Sequence, residues 1–197
     1  MSHFDKRAEG WDKGDVRVNG ASVIADAIEK EFEFNKDMTI IDFGVGTGLL
    51  GFQIAQKVKK VYGVDTSTQM LAKLEEKNTP SLNIQAINQD IIKEPLSGRY
   101  DGLVSSMTLH HIEDLEAFFS TIYKNLKEDG FIAIADLEKE DGTFHSDNAG
   151  VFHFGFEEET LIKVVQKCGF KEVVIKNINT IKKPHKEFGV FLLLGRV

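Results

Sequence analysis

The chain has 197 residues, 42% of them hydrophobic and 28% charged, proportions of an ordinary globular domain with room for a sizeable core. A formal net charge of −7 and scarce arginine disfavour nucleic acid as a partner, because neutralising phosphates draws on clustered Lys and Arg. No apolar run approaches the ~20 residues of a membrane span, no apolar leader is visible, and the single cysteine, Cys168, excludes an intrachain disulfide, so a reducing cytoplasm is the expected setting.

Phe4, Ala8 and Trp11 fall at i, i+4 and i+7, which predicts a short amphipathic helix; Val23, Ile24, Ala27 and Ile28 predict a second. Residues 1–35 read as an N-terminal helical cap, either packed on the domain or laid over a ligand mouth. Thr39-Ile40-Ile41-Asp42-Phe43 is short, apolar and β-branched, the pattern of a buried parallel strand. Gly44, Gly46 and Gly48 follow at alternate positions, where the backbone can turn sharply and approach a ligand. Leu49, Leu50, Phe52, Ile54, Ala55 and Val58 then predict a helix whose N-terminal N–H groups point at that ligand.

Val61-Tyr62-Gly63-Val64-Asp65 is a second strand ending in an acid. Asp65 lies 23 residues after Asp42, close to the offset at which an acid grips ribose hydroxyls. Thr66 and Gln69 make a capping-box pattern for a helix carrying Met70, Leu71 and Leu74. A third strand pattern, Leu82 to Ala86, leads to Asp90 and Ile91. Tyr100 to Met107 is the fourth strand and runs into His110 and His111. Adjacent histidines point in different directions on any regular element, so one can hold the loop while the other meets a pocket as base or orienter.

Leu115, Phe118, Phe119, Ile122, Tyr123 and Leu126 predict a buried helix stripe ended by Asp129-Gly130, and Phe131 to Leu137 is the fifth strand. Glu138 to Phe156 breaks the periodicity; so long an irregular stretch after a strand's carboxyl end reads as a substrate lid, with Phe152, His153, Phe154 and Phe156 as its wall. His145, Asp147 and His153 lack tight ligand spacing, so no metal is expected. Leu161, Val164, Val165 and Cys168 stripe a helix stopped by Gly169, and Lys171 to Ile178 with Phe188 to Leu194 form a closing antiparallel hairpin. The basic groups Lys57, Lys59, Lys60 and Lys182, Lys183, Lys186 read as solvated element ends.

The D-x-G-x-G-x-G run from Asp42 to Gly48 resembles motif I of the class I S-adenosylmethionine (SAM)-dependent methyltransferases. Phe4 to Asp12 resembles the N-terminal F-D-x-x-A-x-x-W-D segment of many small bacterial members, and Asp101 to Ile112 resembles motif IV of the small-molecule branch. The resemblance covers essentially the whole chain. It implies an α/β fold in three layers: a seven-stranded, mostly parallel Rossmann-like sheet of order 3-2-1-4-5-7-6 with a C-terminal antiparallel hairpin. It further implies one domain over 1–197 that moves the methyl group of SAM to a small-molecule acceptor and releases S-adenosylhomocysteine (SAH). Asp42, Gly44, Val45, Gly46 and Gly48 would form the cofactor floor and Asp65 with Thr66 the ribose site. Met70, Asp90 and Ile91 would border the adenine, with Ser105 and Ser106 toward the methionine moiety. His110, His111 and His153 are the candidate bases, and the lid and the two chain ends would read the acceptor. A quinone precursor, a phenol or an amine would suit an apolar lid, on a monomer or homodimer away from membranes. Three rivals stand beside this: a non-catalytic SAM-binding regulatory subunit; an NAD-dependent oxidoreductase, which would need Gly-x-Gly-x-x-Gly spacing; and a macromolecule methyltransferase, which would need a basic face or an N-P-P-Y-like motif where Ser105-Ser106-Met107-Thr108 stands.

Overall fold

The computed structural model describes residues 4–197 and is built on β1 (Thr39–Phe43), β2 (Lys60–Asp65), β3 (Ile84–Asn88), β4 (Tyr100–Ser106), β5 (Leu126–Leu137), β6 (Lys171–Lys183) and β7 (Lys186–Arg196). The sheet order is β3-β2-β1-β4-β5-β7-β6. β1 to β5 run parallel, and β7 enters antiparallel between β5 and β6. The expected topology is the observed one. Its helices are α1 (Asp15–Glu31), α2 (Gly51–Ala55), α3 (Thr68–Lys77), α4 (Leu115–Asn125) and α5 (Glu158–Lys167), with a 3-10 helix over Asp5–Lys13.

Strand alternation builds the layers. Ile40, Val104 and Ala133 belong to a core shared with Ile24 and Ile28 of α1, Ile54 of α2 and Leu71 of α3. Their neighbours Ile41, Leu103 and Ile132 belong to a second core with Phe118, Phe119 and Ile122 of α4 and Leu161 and Val165 of α5. Successive side chains of a strand point to opposite faces, so a continuous apolar run is what a sheet covered on both faces requires.

Several local expectations shift, each for a physical reason. α1 buries Ala21, Ile24, Ala25 and Ile28, while Val23 stays exposed, because small residues let the helix lie close to the sheet. α3 is capped by Ser67, whose Oγ accepts from the Met70 N–H at 3.2 Å, and not by Thr66, since Ser67 is the residue with extended backbone before the helix. β3 begins two residues late, at Ile84, because Asn83 adopts a left-handed φ of 44°. α4 ends at Asn125, and Leu126 already pairs with Tyr100; the chain bulges through Asp129, at φ 62°, before Phe131 pairs with Gly102. The hairpin strands run longer than expected, to Lys183 and from Lys186.

At the amino edge of the sheet, Phe131 stacks on Phe32 at 3.9 Å between ring centroids and fills the space above Gly102, where a Cβ would lie 2.4 Å from its ring. Phe131→Ala opens a cavity that the rigid strands around it close only in part. The expected loss is about 3–5 kcal/mol, read as a lower urea midpoint with an unchanged m value.

Candidate active site

The carboxyl ends of β1, β2 and β4 open into a cavity of about 950 Å³. Its floor follows from the glycine turn after β1. Gly44 sits at φ 68°, with Thr108 so close that a Cβ would lie 2.2 Å from its hydroxyl, so only glycine fits there. Gly46 turns its N–H to Asp65 Oδ2 at 2.9 Å, and the Ser67 N–H donates to Asp65 Oδ1 at 2.8 Å. One carboxylate thus ties the β1–α2 turn to the β2–α3 turn. Burial raises the Asp65 pKa, while the amides of Ser67, Gly46 and Thr66 pull it back.

Asp42 is nearly fully buried, and its Oδ2 has no hydrogen-bond partner. Burial and the charge of Asp65 push its pKa well above the usual carboxylate value, and the Gly51 amide nearby offsets only part of that. Burial also acts upward on Asp90, but the Lys93 ammonium at 2.7 Å and the N–H groups of Lys93 and Ile92 leave it below the usual value. The cavity is therefore walled at this end by one orphaned acid and two that accept backbone N–H groups.

Of the expected floor residues, Asp42, Gly44, Val45 and Gly46 line the cavity, as do Asp65, Thr66 and Met70. Asp90, Ile91 and Ser106 line it too. Gly48 does not: at φ 89° it is packed under the Phe52 ring and serves the turn. Ser105 is fully buried and spends its hydroxyl on the Phe43 carbonyl at 2.7 Å, joining β4 to β1. The N-terminal 3-10 helix lies across the mouth, with Asp5 accepting from Ser67 Oγ at 2.6 Å and Asp12 from Thr47 Oγ1 at 2.6 Å. Phe4, Arg7 and Trp11 contribute to the wall.

The histidines divide the work. His110 is buried, and its Nδ1 lies 2.7 Å from Asp136 Oδ1. Asp136 also accepts the N–H of His110 at 3.1 Å and of Leu137 at 2.7 Å. A carboxylate so placed can only accept, so Nδ1 carries the hydrogen, and in the neutral ring the lone pair is on Nε2. That Nε2 is buried without a partner, on a residue that lines the cavity. His111 also lines it, but its Nδ1 is held by the Gly150 carbonyl at 2.7 Å. His153 lies off the cavity, with Nε2 2.9 Å from the Ile112 carbonyl.

Residues 138–156 are pinned rather than loose. The His110 carbonyl accepts from Phe152 N at 3.0 Å and His153 N at 3.2 Å, while Glu140 Oε2 gathers the N–H groups of Gly142, Thr143 and Phe144. The wall they present differs from the expected one. Phe156 enters the core and Phe154 is exposed, so Phe144, His145 and Phe152 line the cavity. His145 lies 4.9 Å from His110 between ring centroids, with its Nε2 buried and unpartnered. Burial, then His110, His111 and Lys183, lower its pKa to about 4, so it is neutral above that. Among the described residues no cluster of His, Cys, Asp and Glu has the arrangement of a metal site.

Asp136 went unnoticed in the sequence although it closes an apolar strand, the signal that singles out Asp42 and Asp65. Arg17 and Lys183 line the cavity too; Lys183 is the exposed end of β6, as expected, and reaches the cavity from there.

A parallel sheet crossed at its carboxyl edge by an acid-glycine turn, with a second acid at the next strand end, defines a Rossmann-like domain for a nucleoside cofactor. Residues 40–130 match the family described as a methyltransferase domain. An uncharacterized methyltransferase of Schizosaccharomyces pombe is 32% identical over 74% of this chain and 56% of its own length. The malonyl-[acyl-carrier protein] O-methyltransferase of Priestia megaterium is 27% identical over 72% of this chain and 51% of its own. The chain thus spans little more than half the length of these relatives. Among solved structures, the DhpI–SAH complex superposes with a TM-score of 0.78 at 16% identity, covering 98% of this chain and 93% of that one. Haemonchus contortus phosphoethanolamine N-methyltransferase 2, with phosphomonomethylethanolamine and SAH, gives 0.73 at 18% identity, covering 90% and 52%. Residues 40–130 therefore belong to the methyltransferase-domain family, on a fold shared with SAM-dependent methyltransferases of known structure.

The orphaned acid carries a stability signature. Because the folded Asp42 pKa is raised, the folded state holds this proton more tightly than the unfolded chain, and stability falls as pH climbs from the unfolded value toward the folded one. Asp42→Asn removes that loss. The variant is expected to melt higher than the parent at pH 7, with the gap narrowing as the pH approaches 4 in a series of thermal melts. A gap that is constant with pH counts against a buried charge at Asp42.

Proposed function

We propose that the protein binds SAM and methylates a protic small molecule held in the same cavity. The observation that carries this is the His110–Asp136 pair, which leaves an unpartnered, buried Nε2 in the wall of the cavity whose floor is the glycine turn. The residues present fit the cofactor. Gly46 leaves its Cα open, since an added Cβ would meet nothing nearer than the Gly44 carbonyl at 3.9 Å, and the orphaned Asp42 Oδ2 awaits a donor.

Asp65 would take the ribose hydroxyls, Met70 and Ile91 would pack the adenine, and Asp90 would accept from its amino group. Asp42 supplies the negative end for an ammonium. When bound, SAM supplies a methyl carbon on a sulfonium, already activated, and departs as neutral SAH. The chain's share is then alignment, exclusion of water and one proton. His110 Nε2 would take the acceptor's proton as the acceptor's lone pair bonds to the methyl carbon. Asp136 holds the ring in register and stabilises the imidazolium, as the carboxylate does in a Ser-His-Asp triad. Residues 138–156 serve as the lid, with Phe144 and Phe152 keeping the reacting end dry. His111 and His153 act as clasps for that lid rather than as bases.

A thermal shift with SAH is the direct test. Saturation at 100 times Kd should add roughly 2.7 kcal/mol, and Asp65→Ala should remove the shift. His110→Gln and Asp136→Asn should keep it yet slow turnover of an acceptor found by screening by about 10²–10⁴. A response to NAD but none to SAM or SAH would sink the proposal.

A further inference from the structure

The cavity is polarised along its length. Its carboxylates are Asp42 on β1, Asp65 on β2, Asp90 after β3, and Glu113 and Asp114 after β4, and α1, residues 144–152 and the β6–β7 hairpin contribute none. Of these, α1 and the hairpin contribute Arg17, Lys182 and Lys183, while Arg7 and Lys93 line the cavity elsewhere. In a chain of net charge −7, the end of the cavity away from the glycine turn is positive.

Two of these cations are held without a counter-ion. Lys182 pairs with Glu187 at 3.1 Å, but among the described residues neither Arg17 nor Lys183 has a carboxylate within ion-pair distance. Their positions are nonetheless fixed. Arg17 stacks 4.3 Å from the Trp11 ring centroid and donates to the Trp11 carbonyl at 3.3 Å. Lys183 lies 4.0 Å over the Phe144 ring and donates to the Phe144 carbonyl. Burial lowers the Lys183 pKa; the charge of Glu140 acts upward on it and the positive charge of Arg17 downward. Two like charges therefore face each other's field across the mouth, an arrangement that an anion between them relieves. The buried, unpartnered Nε2 atoms of His110 and His145 line the interior beyond.

We infer that the acceptor is an anionic small molecule, with a carboxylate or phosphate held at the mouth by Arg17 and Lys183 and its protic group inside at His110. This rests on the acceptor site placed above. Arg17 offers a planar fork suited to either oxyanion, and Lys183 a point charge. Phe144, Phe152 and Ile24 leave an apolar passage between the two polar ends.

Calorimetric titration of the SAH-saturated protein with inorganic phosphate, with benzoate and with neutral benzyl alcohol tests this. At least one anion should bind more tightly than benzyl alcohol, and whichever anion binds names the group. Arg17→Gln and Lys183→Gln should each weaken it by about tenfold while leaving SAH affinity unchanged. Anion binding that is undiminished in both variants, or no preference over benzyl alcohol, overturns the inference. If SAH itself fails to bind, methyl transfer falls, and the same titration without SAH still decides the anion site.

Discussion

The Asp65 carboxylate is the point through which the ligand end of the molecule is organised. It stands at the carboxyl end of β2 and accepts one N–H from the glycine turn and one from the turn that opens α3. Ser67, positioned by that second bond, caps α3 and donates to Asp5, so the N-terminal 3-10 helix is drawn onto the same small region. A buried carboxylate is tolerated only where such donors satisfy it. Three segments far apart in the chain thereby share one charge.

The neighbouring Asp42 obeys the opposite logic. Its Oδ2 is buried without a donor, and Met107, at the end of β4, adopts a left-handed φ of 56°. Both are local losses of stability concentrated where β1 and β4 meet the cavity, and the two cores on either side of the sheet outweigh them. Unsatisfied groups and strained backbone gather where a ligand completes the structure, because there the deficit becomes binding energy. His110 shows the complementary arrangement: its Nδ1 and N–H are satisfied by Asp136, and the buried Nε2 left over belongs to a residue that lines the cavity.

The sheet was legible because parallel strands covered on both faces must be short apolar runs, and Ile40-Ile41, Val61 and Leu103-Val104 are unmistakable as such. The acids Asp42 and Asp65 were legible because each interrupts an apolar run at its end. The acceptor end was not. Arg17 lies on the polar side of an amphipathic helix, where any charge is compatible with the pattern, and His145 sits in a stretch whose course is set by Glu140 and the His110 carbonyl rather than by periodicity. Ser105 and Gly48 illustrate the reverse: residues that fit a motif and turn out to brace it, one through the Phe43 carbonyl and the other beneath Phe52.

The β6–β7 hairpin extends past the sheet that supports it. β5 accompanies β7 only from Val190 to Arg196, so Thr180 to Lys183 and Lys186 to Gly189 form a two-stranded arm beyond the carboxyl edge, steadied by the Lys186–Asp141 ion pair and by Phe188 against Phe144. Because side chains on a strand alternate, lengthening this arm by one residue per strand would turn Lys183 to the opposite face. Lengthening it by two would carry the ammonium outward by about 7 Å with its orientation kept. The reach of Lys183 over the cavity is thus graduated by the hairpin register, like the notches of a calliper.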